Sequence, residues 1–157
     1  MKRLLCILIA LFLAIPSICF GAWTFTGTID QEVNWPNNQK LIVIKVACAS
    51  DGTDPAEFNL SDEMANSLDI TKYQGGLFYA VETDPGADAP DAVWAVDFDT
   101  SYGADILNLT GLSITATEAH DGASLLGFNV PIFDIQIDLG DIGSSGDDVD
   151  LYIHIVK

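Results

Sequence analysis

The feature that most constrains the fold is an alternation of apolar and polar residues with a period of two, which recurs along the chain. In the segment 23–29, Trp23, Phe25 and Ile29 alternate with three threonines, as in a strand with one face on a core. The segment 40–49 is instead apolar on both faces apart from Lys45, which predicts a central strand. The predicted strands are 23–29, 40–49, 76–83, 93–99, 112–117, 130–139 and 151–156.

Clusters of Gly, Pro, Asn and Asp separate these segments and supply the residues that tight turns need. One short helix is a candidate at 61–68, where Ser61 could cap the first turn. About seven strands with almost no helix predict an all-β chain, folded as an antiparallel β-sandwich or a jelly-roll-like domain. No long repeat and no low-complexity linker divides the sequence, so we expect a single domain over residues 22–157.

The N-terminal residues have the organisation of a secretory signal peptide. Lys2 and Arg3 precede an apolar run over 4–15, and small residues suited to cleavage follow. The run is shorter than the roughly 20 residues of a membrane span. We therefore expect residues 1–21 to be removed and the remainder to be secreted or periplasmic, with no membrane attachment. An uncleaved anchor and a lipoprotein with Cys19 as the lipidated residue are the alternatives.

The charge balance excludes several classes of partner. The chain has 23 acidic residues against six Lys and Arg, a formal net charge of −17. Such a surface repels phosphate backbones and anionic lipid, which argues against nucleic-acid binding and membrane adsorption. It favours solubility, divalent cations or basic partners. After removal of the signal peptide Cys48 is the sole cysteine, so it is expected to be a buried, inert thiol, with an intermolecular disulfide as the alternative.

Two acidic segments are candidate calcium sites, because Ca²⁺ takes six to eight oxygen ligands in proteins. The first segment, 97–105, does not reproduce an EF-hand, because Gly103 falls one position late for the sharp turn and no glutamate closes the loop. The second segment, 140–150, has acids on both sides of a flexible Gly/Ser turn but lacks the repeat motif of calcium-binding β-rolls. The simpler interpretation of the first segment is a solvated strand face and turn, with Asp97 and Asp99 towards water. The candidate ligands are Asp97, Asp99, Asp105, Asp141, Asp147 and Asp148.

The sequence contains none of the common catalytic motifs. There is no G-x-S-x-G elbow, no H-E-x-x-H and no Gly-rich phosphate loop. His120 lies in a turn-like segment and His154 on a terminal strand, so structural roles are expected for both. Among 23 acids some pair will have the spacing of a glycosidase, but no apolar pocket signal sets two pKa values apart. We expect a protein that is not an enzyme.

Aromatic residues in turns are the candidates for contact with a ligand. Trp35 and Tyr102 lie in turn segments, whereas Trp23 and Trp94 lie on strand faces that must fill a core. An exposed pair on one flat face would suit the stacking of sugar rings.

The region 76–107 combines several turn and strand motifs. A strand ends in T-D-P-G at 83–86, a proline follows at 90, and a strand led by Trp94 runs to a turn with glycine and aspartate. This order resembles a recurrent pattern in small structural proteins of tailed phages and prophages, as do "TATE" at 115–118 and "LYIHIVK" at 151–157. The matching residues are Thr83, Asp84, Pro85, Gly86, Pro90, Trp94, Val96, Phe98, Gly103, Asp105 and Ile106.

The resemblance covers about half of residues 22–157; Ala95 and Thr100 stand where the pattern usually has acids, and 22–75 lie outside it. It implies a virion-associated or phage-encoded exported protein and brings no catalytic residues. We therefore expect a non-enzymatic structural or surface-attachment component, with protein partners in a particle or at a cell surface and scope for a homo-oligomer. The alternatives are a secreted bacterial glycan- or calcium-binding surface module and a small secreted hydrolase.

Overall fold

The protein folds into two antiparallel β-sheets. A computed structural model of the chain describes residues 23–35, 38–52, 56–60, 68, 70–73, 75–100, 102–120, 130–132, 135–140, 142–143 and 145–157. Its strands are β1 (Thr24–Trp35), β2 (Gln39–Ala49), β3 (Ala56–Asn59), β4 (Leu77–Asp84), β5 (Trp94–Thr100), β6 (Asp105–Leu112), β7 (Glu118–His120), β8 (Ile135–Gly140) and β9 (Asp148–Val156), and a 3₁₀ turn covers Ile70–Tyr73. Among the described residues, no helix is long and apolar enough to span a membrane.

The two sheets enclose one apolar core. The five-stranded sheet has the order β1-β2-β9-β4-β7 and the four-stranded sheet the order β3-β8-β5-β6. Alternate residues of both sheets point inward and are fully buried, for example Ile44 and Ile153 from the first sheet and Phe98 and Ile137 from the second. The prediction of an all-β antiparallel sandwich is confirmed.

Strand β2 lies between β1 and β9, as its two apolar faces predicted. Cys48 is fully buried in this strand, and desolvation raises the pKa of its thiol far above the usual value, so the inert thiol is the correct interpretation. Of the two lysines in this strand, Lys45 is neutralised on the sheet, because its Nζ lies 2.6 Å from Asp150 Oδ2 and 5.6 Å from the centre of the Tyr152 ring. The hydrogen bond to Asp150 raises the pKa of Lys45.

The predicted strand at 112–117 is wrong. Strand β6 ends at Leu112, and Ser113 Oγ then accepts hydrogen bonds from the backbone N–H groups of Thr115 and Ala116, both at 3.1 Å. A serine side chain that takes over backbone donors in this way competes with the sheet ladder and bends the chain. The Ser113 carbonyl in turn accepts a 3.2 Å hydrogen bond from the Trp94 indole.

The predicted strand at 130–139 is divided between the two sheets. Pro131 forms an isolated bridge with Leu77 of β4, and Ile132 donates its N–H to the Gly76 carbonyl at 3.1 Å. The remainder forms β8 in the other sheet, with Ile135, Ile137 and Leu139 inward as predicted. A proline cannot donate to a ladder, and here it marks the place where the chain leaves one sheet for the other.

The predicted ranges miss three strands. They cover only Leu112 of β6, and they omit β3 and β7, whose four and three residues are too few to carry a period. The predicted signal peptide at 1–21 lies outside the described residues. So does the candidate helix at 61–68, apart from Leu68, which packs against the core.

Candidate functional site

The outer surface of the four-stranded sheet carries a group of carboxylates, here called the acidic face: Asp97, Asp99, Asp105 and Asp138. In the register of the sheet, Asp97 on β5 is opposite Asp138 on β8, and Asp99 is opposite Asp105 on β6. Directly paired residues of an antiparallel sheet share one face, so these like charges are neighbours. Such an arrangement destabilises the isolated protein and favours contact with a cation.

Two carboxylates of the acidic face are less solvated than the sequence predicted. Asp97 and Asp99 lie on the outer face, as expected, but both are half-buried, and the Oδ1 atom of each is inaccessible and accepts no hydrogen bond from the described residues. Asp97 Oδ2 accepts a 2.8 Å hydrogen bond from Asn108 Nδ2. Desolvation, followed by the charges of Asp97 and Asp105, raises the pKa of Asp99.

A shallow groove of about 210 Å³ runs next to these acids across β8, β5 and β6. It exists because small residues face each other there: Ala95 is opposite Gly140 on one side and Thr110 on the other. Asp97 and Asp138 form one wall. The arrangement provides hydrogen-bond acceptors and negative charge over an apolar floor, which suits a cationic side chain or ion.

We expect Asp99→Asn to stabilise the protein at neutral pH, by roughly 0.5–1 kcal/mol for one like-charge contact removed. Because the folded-state pKa of Asp99 is raised, the folded state holds this proton more tightly than the unfolded chain does. The stabilisation that comes from this tighter proton binding is present at low pH, and it is lost as the pH rises through the folded-state pKa of Asp99. The advantage of the variant should therefore shrink as the pH falls below the ordinary value of 3.8, where wild-type Asp99 becomes protonated in both states.

Urea unfolding between pH 7 and pH 3 measures this difference. Asp30→Asn, the same charge change at an exposed position of β1, is the control and should change the free energy of unfolding by no more than about 0.5 kcal/mol. Equal effects of the two substitutions at every pH would show that net charge, rather than the acidic face, is responsible.

The second predicted acidic segment begins β9 in the other sheet, away from Asp97 and Asp99. Asp148 Oδ1 accepts the backbone N–H of Asp88 at 2.8 Å, and Asp148 N donates to the Asp88 carbonyl at 2.8 Å. Asp148 therefore anchors the loop between β4 and β5, and Asp141 lies outside the described residues. Within the part of the chain that the structure describes, no three His, Cys, Asp or Glu side chains are grouped to hold a metal ion. Calcium binding stays a prediction.

The two candidate aromatic residues belong to different sheets. Tyr102 is 90% exposed in the turn between β5 and β6. Trp35 is the last residue of β1, and its side chain is not among those described. Trp94 is buried in the core, and Trp23 is half-buried and stacks on Phe25 at 6.0 Å, as predicted for strand-face residues.

The histidines make local contacts. His154 Nε2 lies 3.1 Å from Glu82 Oε1 on the outer face of the five-stranded sheet. His120 Nε2 lies 3.4 Å from the hydroxyl of Thr83, which is 1% exposed and therefore inaccessible to a substrate. Asp138 was not singled out from the sequence, although the alternation at 130–139 placed it on the polar side of its strand. The structure places that strand, β8, beside β5, which carries Asp97.

Compared with known proteins, the chain matches no family model, no curated protein and no solved structure. The resemblance to phage structural proteins stays a prediction.

Proposed function

We propose that the protein is an exported, non-enzymatic β-sandwich that acts by surface contact, as a structural or attachment component of a phage-type particle. The observation that carries this proposal is the exposure of Tyr102 at the tip of the β5–β6 hairpin, where 90% of the residue is accessible. Large aromatic side chains are enriched at protein interfaces, since each buries much apolar area and keeps a polar group at its end.

The hairpin holds Tyr102 on a fixed turn. The N–H of Thr100 donates to the Ala104 carbonyl at 2.9 Å, and the N–H of Gly103 donates to the Thr100 carbonyl at 2.8 Å. The Thr100 hydroxyl accepts the N–H of Ala104 at 3.0 Å. A contact residue held in this way loses little conformational entropy on binding, which favours affinity.

The acidic face begins at the base of the same hairpin, with Asp99 near the end of β5 and Asp105 at the start of β6. A basic group of a partner would relieve the repulsion between these two carboxylates. Neighbouring copies of a chain with a net charge of −17 repel one another, so a homo-oligomer would need cations or basic residues between its subunits.

The proposal is tested on particles purified by density gradient after prophage induction in the organism that encodes the chain. We expect the protein to comigrate with capsid proteins, and Tyr102→Ala to reduce its incorporation. Between residues 22 and 157, lysine occurs only at 40, 45, 72 and 157, and arginine is absent, so an Asp-specific protease should replace trypsin in the mass spectrometry. Secretion of the protein without any association with particles would contradict the proposal.

The alternative, a secreted calcium- or glycan-binding surface module, is favoured by the buried, unsatisfied Oδ1 atoms of Asp97 and Asp99. A ligand that binds only the native state must raise its stability. An increase of the melting temperature in excess Ca²⁺, reversed by a chelator and absent from Asp97→Asn, would support this alternative. An unchanged melting temperature would contradict the calcium role.

A further inference from the structure

A second groove, of about 520 Å³, lies at one end of the sandwich, where β2 begins and β9 ends. Its walls are formed by residues of β1 and β2, by the 3₁₀ turn and by Lys157. The volume is within the range of about 300–1,000 Å³ that is usual for small-molecule sites. We call it the lysine groove; its lining residues are Glu32, Asn38, Lys40, Ile42, Lys72, Tyr73 and Lys157.

The charge of this groove is opposite to that of the chain. Of the four lysines between residues 22 and 157, only Lys45 lies elsewhere, and it is paired with Asp150. Among the described residues that line it, the groove has three ammonium groups and one carboxylate, that of Glu32, in a chain of net charge −17. Three of these four lysines line one cavity, and this concentration of positive charge indicates a binding site for a ligand.

Backbone contacts hold two of the lysines side by side. Lys40 N donates to the Lys157 carbonyl at 2.7 Å, and Lys157 N donates to the Lys40 carbonyl at 2.9 Å, so the two side chains share a face. Lys157 Nζ donates to the Lys72 carbonyl at 2.8 Å, which connects the third lysine to the same place. Paired like charges are unfavourable, and an anion between them would offset the repulsion.

The groove presents a carboxylate, an amide and an aromatic ring beside its ammonium groups. Glu32 contacts the Lys40 ammonium, and this hydrogen bond raises the pKa of Lys40. Lys72 is an exposed residue whose side chain lines the cavity together with the half-buried Tyr73. Asn38 adds an amide at the rim, on a backbone with a φ of 61°. The groove therefore combines cations, a neutral donor and an aromatic ring.

We propose that the lysine groove binds an acidic sugar through its carboxylate. The ammonium groups recognise the charge, while the Tyr73 ring and the Asn38 amide suit the ring and hydroxyls of a saccharide. The net charge of −17 on the chain favours a compact anion over a long polyanion, because a long polyanion would extend beyond the lysines and be repelled by the rest of the protein. The inference goes beyond the proposed particle role, and a protein absent from particles could still bind such a sugar.

Isothermal titration calorimetry and NMR chemical-shift changes with glucuronic acid and N-acetylneuraminic acid test the proposal. Two control ligands are titrated in the same way: glucose, which has the sugar ring without the charge, and acetate, which has the carboxylate without the ring. Both acidic sugars should bind more tightly than glucose or acetate, and the affinity should fall with added salt. Lys72→Gln should weaken binding about tenfold, the loss of one charged hydrogen bond. Lys45→Gln makes the same charge change outside the groove, and it should change the affinity for the acidic sugars by no more than about twofold.

Glu32→Gln provides a test in the opposite direction, since it removes the carboxylate that competes for Lys40. This variant should bind the acidic sugars about threefold more tightly. Binding of acetate equal to that of the sugars, equal losses in Lys72→Gln and Lys45→Gln, or no binding of either acidic sugar would each overturn the proposal.

Discussion

Replacing Phe98 with alanine is expected to lower the free energy of unfolding by about 3–5 kcal/mol, the usual cost of removing a buried phenylalanine. Phe98 is fully buried, and its ring stacks on Phe78 of the other sheet with 5.6 Å between centroids. It sits in β5, which has β6 on one side and β8 on the other, so the surrounding backbone cannot collapse into the space. Domains of this size are stable by only about 5–15 kcal/mol, so much of the total would be lost.

Tyr102→Ala is the matched control, because it removes a ring of similar size from the same hairpin at a position that is 90% exposed. It should change the free energy of unfolding by no more than about 0.5 kcal/mol. Urea unfolding followed by tryptophan fluorescence, to which the buried Trp94 contributes, measures both variants. A loss of less than about 1 kcal/mol for Phe98→Ala would mean that the two sheets do not pack closely at this position.

The strands that the sequence predicted well are those with one face on the core. In strands β4, β5 and β9 every second residue faces the core and must be apolar, which gives an alternating sequence pattern. The predicted ends of these strands differ from the observed ones by at most three residues. The same pattern at 112–117 was misleading. Leu112, Ile114 and Ala116 alternate correctly, but the Ser113 hydroxyl takes the backbone donors that a ladder would need.

The acidic face could be predicted only in part. Alternation placed Asp97 and Asp99 on the outer face of β5, but it contains no information on which strands lie beside β5. Their neighbours Asp138 and Asn108 come from β8 and β6, and their register depends on the packing of the whole sheet. The burial of the Oδ1 atoms follows from those neighbours, so it could not be read from the sequence.

The lysine groove was even less accessible to prediction. Lys40, Lys72 and Lys157 are separated by 32 and 85 residues, and no local pattern connects them. The pairing of β2 with β9 brings two of them together, and the 3₁₀ turn supplies the third. The signal that could have pointed to the groove is the scarcity of cations, because each lysine retained in so acidic a chain calls for a structural or binding role.

Gly86→Ala is expected to destabilise the protein by about 2–5 kcal/mol, from a strained backbone and an overpacked contact together. Gly86 ends the T-D-P-G turn with a φ of 73°, and its N–H donates to Asp84 Oδ1 at 3.0 Å. A methyl group at this position would lie 2.7 Å from the Asp148 carbonyl oxygen and still closer to the Asp148 side chain. If the carboxylate moved away, it would lose the hydrogen bond from Asp88 N that anchors the loop to β9.

Gly103→Ala separates the two contributions. Gly103 has a φ of 74°, almost the same as Gly86, but a methyl group there would meet no atom within 4 Å. Gly103→Ala should lower the free energy of unfolding by only roughly 1–2 kcal/mol, the cost of a left-handed backbone conformation. The excess loss in Gly86→Ala, measured by urea unfolding, then reports the contact with Asp148. If the two variants were equally destabilised, the glycine of the T-D-P-G turn would be needed for its φ alone, and the loop would not depend on its close approach to β9.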